Sequence, residues 1–232
     1  MKNLNIALVL ILVSNSLLAQ SFMPEFGQQW NKRGYVIKND NSRMEGKVTA
    51  GMVGMNGLVW IVLKDTVTDV KTKFKIADMK EVGIDARTGT KAAALMSAVE
   101  NTKSIKQMAN TDYKSILNAD YYIYRRVVDK KGKPRILQLI NPGFENKMQV
   151  YIDPKAKETG GAKLTGGLTG GAEKSFYVTK SSSYGIYLKK SKYGKAISSV
   201  FDDCPSVLEF AGKNPKFSDL AKHVHYYDNN CE

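Results

Sequence analysis

From Trp30 onward, apolar and polar positions alternate with the period of β-strands. In DVKTKFKI, Val70, Thr72, Phe74 and Ile76 alternate with Lys71, Lys73 and Lys75, which predicts a strand with one buried face. GYVIKNDNSRMEGKVTAG predicts two strands around a polar turn at Asn39 to Ser42. GLVWIVLKD is a nearly continuous apolar run, the pattern of a strand buried on both faces. Residues 34 to 85 therefore read as a meander of four or five strands, laid as an open sheet or curled into a small barrel. An SH3-like barrel is one candidate.

The pattern changes after this N-terminal β-rich region, 20–86. Ala92, Leu95, Met96 and Val99 have helical spacing, and Thr88 or Thr90 would cap the start, so 87–118 reads as a helical insertion. A second β-rich region, 119–190, holds ADYYIYRRVVD, the turn KKGKP, RILQLI, MQVYID, SFYVTK and GIYLKK. Within it, 158–174 carries three Thr-Gly-Gly triplets and predicts a surface loop, because glycine at that density loses too much backbone entropy to hold a regular element.

From 191 to 232 the chain reads as helical. Ile197, Val200, Phe201 and Cys204 form one apolar stripe, and Leu220, Val224, Tyr227 and Cys231 another. Pro205 suits a first helical turn, Gly212 a stop, and Ser218 the cap of the last helix. The fold class is α+β: mainly antiparallel sheet, one helical insertion and a C-terminal helical cap.

The first residues change the setting. Lys2, an apolar run from Ile6 to Val13 and small Ala19 before Gln20-Ser21 make residues 1–19 read as a signal peptide, the run being too short to span a bilayer. The expectation is export, to the periplasm or in association with the outer membrane, with no transmembrane helix in the mature chain. An oxidising compartment permits a disulfide between Cys204 and Cys231, each facing inward on its own helix. Two free buried thiols and a redox pair are the competing readings.

Composition removes several classes. Of 232 residues, 43% are hydrophobic and 25% charged, as in a folded globular chain. Two histidines leave little for a zinc enzyme, and His223 and His225 would point apart on a helix. Gly161 and Gly166 have P-loop spacing, but Gly167 and Leu168 stand where Lys and Ser or Thr belong. GxGxxG and GxSxG are absent from the sequence. Asp202-Asp203 and Asp153 suit helix-start and turn roles. No cofactor is implied.

The formal charge of +13 is the least neutral feature. Basic residues cluster at Lys71, Lys73 and Lys75; at Arg125 and Arg126; at Lys130, Lys131, Lys133 and Arg135; and at Lys189, Lys190, Lys192 and Lys195. Solvated outer faces would explain them. An anionic-ligand surface drawn from Lys71, Lys73, Lys75, Arg125, Arg126, Lys189, Lys190 and Lys192 is the functional alternative. Export makes an acidic protein, lipopolysaccharide or another anionic envelope component the expected partner, rather than nucleic acid.

GYVIKNDNSRMEGKV, FKIADMKEVGI and AISSVFDDCPSVLEF with FSDLAKHVHYYDNNC together resemble a family of exported Bacteroidota envelope proteins of unknown function. The resemblance implies envelope localisation and pairing of Cys204 with Cys231, and it implies no catalytic residue. The sequence thus points to a non-enzymatic interaction module with a basic β surface. The alternative is a hydrolase of envelope polymers whose carboxylates converge only in the fold.

Overall fold

Polar turns divide the alternating stretches into strands. The computed structural model describes residues 19–87, 111–112, 118–155, 175–180 and 184–232. The expected leader (except Ala19), most of the expected helical insertion 87–118 and the expected Thr-Gly-Gly loop 158–174 lie outside them; within that insertion Thr111 and Asp112 form a short strand rather than a helix. β1 (Ala19–Gln20) runs parallel to β7 (Thr111–Asp112). β2 (Lys32–Lys38) and β3 (Arg43–Gly54) flank the turn at 39–42, where Asn41 takes a positive φ. β4 (Gly57–Lys64), β5 (Lys71–Lys75) and β6 (Met79–Asp85) follow. β8 (Tyr121–Val128) and β9 (Pro134–Gln138) pair across a turn in which Gly132 has φ +75°.

Six of these strands close a barrel in the order β3-β2-β6-β8-β9-β4, with β4 returning to β3 and β5 added outside β4. The barrel is therefore not confined to residues 20–86. β8 and β9, from beyond residue 118, complete the wall: β8 pairs with the free edge of β6, β9 with β8, and β9 reaches β4 at Gly57. Closure occurs where Gly57, at φ +94°, pairs in parallel with Ile136. An added Cβ at Gly57 would collide with the Ile136 carbonyl, so glycine is needed there twice over.

Strand register places Val36, Val82, Tyr124 and Gln138 in one inward row and Gly34, Ile84 and Tyr122 in the next. The segment 22–30 fills the space these rows leave. Gln138 holds it at both ends of its amide, accepting from the Phe26 N–H at 2.8 Å and donating to the Pro24 carbonyl at 2.8 Å. The Phe26 ring then packs on Tyr122 at 5.1 Å and against Tyr124 and Trp30.

A second antiparallel sheet, β10 (Met148–Ile152), β11 (Phe176–Lys180) and β12 (Ile186–Leu188), is joined to the barrel by bridges Leu139–Tyr151 and Asp129–Gly185. Helices α1 (Tyr193–Val200), α2 (Pro205–Ala211) and α3 (Leu220–Asn230) complete the chain. Both cysteine-bearing stripes are buried, in a core continuous with the barrel interior. Cys204 and Cys231 form a disulfide with Cα atoms 5.8 Å apart. Pro205 opens α2 and Gly212 ends it at φ +71°, as expected. Ser218 does not cap α3: it lies inside a 3-10 turn, Phe217–Asp219, whose Phe217 ring stacks on Phe176. The observed α+β class matches the sequence reading.

Candidate functional site

β4 departs from its apolar pattern, and that departure creates the most distinctive surface. Ile61 and Leu63 are buried and pair with Phe74 and Thr72 of β5. Their neighbours Trp60, Val62 and Lys64 face outward and are only half-buried, so β4 is not buried on both faces. On that outer face Trp60 pairs with Met52 and Lys75, Val62 with Ala50 and Lys73, and Lys64 with Lys47 and Lys71. Three rows across β3, β4 and β5 thus end in three exposed lysines, with an apolar column of Trp60 and Val62 beside them. Period-two geometry makes the array: lysine at every second position of β5 puts all three on one face, opposite buried Phe74.

The array is held in place locally. The Lys73 ammonium stands 4.3 Å from the Trp60 ring centroid, a cation–π contact. Lys64 pairs with Asp69 at 2.8 Å. The Asp65 carboxylate, which accepts from the Val67 and Thr68 N–H groups and is held below its ordinary pKa by those bonds, Thr68 first, sets the β4–β5 turn.

The arginines singled out with these lysines have a different role. Arg125 donates from Nε to Glu81 at 2.7 Å and from Nη1 to Glu145 at 2.7 Å. Tyr35 donates its hydroxyl to the other Glu81 oxygen at 2.7 Å. Burial raises both the Tyr35 and the Glu145 pKa, and Arg125 opposes the rise at Glu145. Arg126, on the opposite face of β8, donates to the carbonyls of Ile76 and Met79, each at 2.8 Å, at the β5–β6 connection. Neither guanidinium is displayed to an external anion as the lysines are. Each is engaged by groups of the chain itself.

Lys189, Lys190 and Lys192 are exposed between β12 and α1, and Lys189 lies 5.5 Å from the Tyr187 ring. They follow the last strand of the second sheet, whereas Lys71, Lys73 and Lys75 belong to the barrel sheet. The two acidic neighbours Asp202 and Asp203 both accept from Lys180, at 2.9 and 2.7 Å, and Asp203 also accepts from the Tyr227 hydroxyl at 2.6 Å. They dock the helices on β11. Glu81 and Glu145, a carboxylate pair that converges only in the fold, share one arginine. Asp153 is buried and accepts from the Lys155 N–H, a turn role.

His223 is buried, its ring stacked on Tyr193 and hydrogen-bonded through Nδ1 to the Tyr193 hydroxyl. His225 packs edge-on to Phe144. Among the described residues no group of three or more His, Cys, Asp or Glu side chains is placed to hold a metal. No described helix is long and apolar enough to cross a membrane.

Sequence reasoning found Lys71, Lys73 and Lys75 but not Trp60, Lys47 and Lys64, which share their face. Strand pairing was the missing signal, since these residues come from three separate stretches. Compared with known protein families, curated protein sequences and solved structures, the chain matches none of them.

Proposed function

We propose that this chain is a non-enzymatic, exported module of the cell envelope that holds an anionic partner on the outer face of β3, β4 and β5. The observation that carries this reading is the register that brings Lys71, Lys73 and Lys75 into rows with Trp60, Val62 and Lys64. Exposed ammonium groups at a two-residue repeat present several positive charges within one Debye length, where their fields add. An aromatic ring in their midst supplies apolar area beside the charge. The leader-like N-terminus supplies the location.

Affinity capture from the native envelope, run at low and at high salt, tests this. The expected result is a partner retained at low salt, released as salt rises, and lost on Lys71→Glu/Lys73→Glu/Lys75→Glu. The same partner is retained by Lys189→Glu/Lys190→Glu/Lys192→Glu. A partner that ignores both salt and the β5 reversal would overturn the reading.

A further inference from the structure

The exposed apolar side chains share the lysine flank. Seven large hydrophobic residues are exposed among the described ones, and five of them, Met52, Met55, Val59, Val67 and Val70, lie on the β3–β4–β5 unit. Met55 is 72% and Val67 91% exposed, one in the β3–β4 turn and the other in the β4–β5 turn. β4 spans about 25 Å between those turns at the usual strand rise. Apolar side chains therefore stand at both ends of a face that carries Trp60 and five lysines along its length.

From this juxtaposition we infer that the anionic partner is a lipid bilayer surface bearing anionic headgroups, on which the β3–β4–β5 face lies flat. The inference rests on the basic-face reading above and specifies its ligand. A bilayer interface has a use for both features at once: phosphates for the lysines, and the acyl boundary for Met52, Met55, Val67 and Trp60. A soluble anionic glycan would engage the lysines and leave Met55 and Val67 in water.

An acidic peptide added as an extra strand fits less well, because the β5 edge is short and already blunted. The Lys75 N–H donates to the Asp78 carboxylate and its carbonyl accepts from the Asp78 N–H, both at 2.9 Å. Outward-pointing backbone groups recur every second residue, so only Lys71 and Lys73 are left to pair with a new strand. Charge also opposes self-association through this edge, since a second copy would bring lysine against lysine.

Cosedimentation with vesicles, read together with tryptophan emission, tests the inference. With equal parts phosphatidylglycerol and phosphatidylcholine, the purified protein is expected to sediment, and Trp60 emission to shift to the blue in a Trp30→Phe background. Pure phosphatidylcholine is expected to do neither. Each lysine at such a surface multiplies partitioning about fivefold, so Lys71→Gln/Lys73→Gln/Lys75→Gln lowers it about 100-fold. Met55→Ser/Val67→Ser lowers it with every lysine in place. All of these positions are exposed, and a melting temperature within about 2 °C of wild type confirms that each variant is folded.

If the protein fails to bind the anionic vesicles at low salt, the lipid inference falls. If long-chain polyphosphate in solution binds through the lysines and Met55→Ser/Val67→Ser has no effect on any ligand, the inference also falls while the basic-face reading stands. Vesicle binding that survives the lysine substitutions would overturn both.

Discussion

The barrel has two flanks with opposite fates, although both are strands with charged residues at outward positions. On the open flank, β5 sends Lys71, Lys73 and Lys75 into solvent beside Trp60. On the covered flank, β8 sends Arg125 outward into a half-buried network with Glu81 and Glu145, and a small apolar cluster of Val127, Leu137, Leu139, Tyr151 and Tyr177 fills the space beneath the second sheet. Charge density along the sequence does not separate the two. What separates them is whether another layer lands on the strand: where it does, each charge must find a partner, and where it does not, water suffices.

The largest way to break this contrast is to loosen the layer that covers one flank. The disulfide ties the start of α2 to the end of α3 across 27 positions of sequence. Cys204→Ser/Cys231→Ser is expected to lower unfolding free energy by about 3 to 4 kcal/mol, the loop-closure value for that length, as read by urea denaturation without reductant. A midpoint equal to that of oxidised wild type would show that the helices are held by packing alone.

Next comes the charge network itself. Arg125→Met leaves Glu81 and Glu145 partly buried without their shared cation, and is expected to destabilise by about 2 to 4 kcal/mol. Lys73→Met on the open flank is expected to change stability by less than about 0.5 kcal/mol. Equal effects from the two substitutions would erase the distinction between the flanks.

The smallest effect concerns pH. His223 is buried, and burial holds its pKa below the ordinary imidazole value, with Asp219 opposing the shift and Lys222 adding to it. Tyr193 and Phe210 are the rings that enclose it. A histidine kept neutral in the fold contributes stability that is present above the unfolded-state pKa, about 6.5, and is lost as pH falls through the folded value. The urea midpoint of wild type should therefore fall between pH 7 and pH 5, and His223→Gln should flatten that slope. A wild-type midpoint independent of pH over this range would show that His223 does not couple to folding.

Much of the fold was legible in local pattern. Alternation at Lys71 to Lys75, the turns at 39–42 and 130–134, the two cysteine stripes and the Pro205 and Gly212 boundaries match the structure, because each depends on neighbours within a few residues, whereas Val70, read as part of the buried face, lies outside the strand and is exposed. Three readings needed more. The apolar run of β4 gave no hint that Trp60 and Val62 face out, since hydrophobicity reports a preference for cover and not whether cover arrives. Ser218 has the chemistry of a cap, but the packing of Phe217 against Phe176 and Tyr193 draws the segment into a 3-10 turn. Arg125 and Arg126 read as one basic pair, yet adjacent strand positions face opposite ways, so one joins Glu81 and Glu145 and the other binds carbonyls of the β5–β6 connection.

By itself the sequence determined the α+β class, most strand and helix positions, the inward aim of both cysteines and the basic excess, all consequences of residue type and short-range periodicity. Only the tertiary structure decided that β8 and β9 close the barrel, that Lys47, Lys64 and Trp60 join the β5 lysines on one face, and that the neighbouring arginines are taken up internally. Those outcomes depend on which strands pair and which layer covers them. Within the barrel, pairing joins residues as far as about 80 positions apart, as Gly57 and Ile136 are, so no window along the chain contains the information.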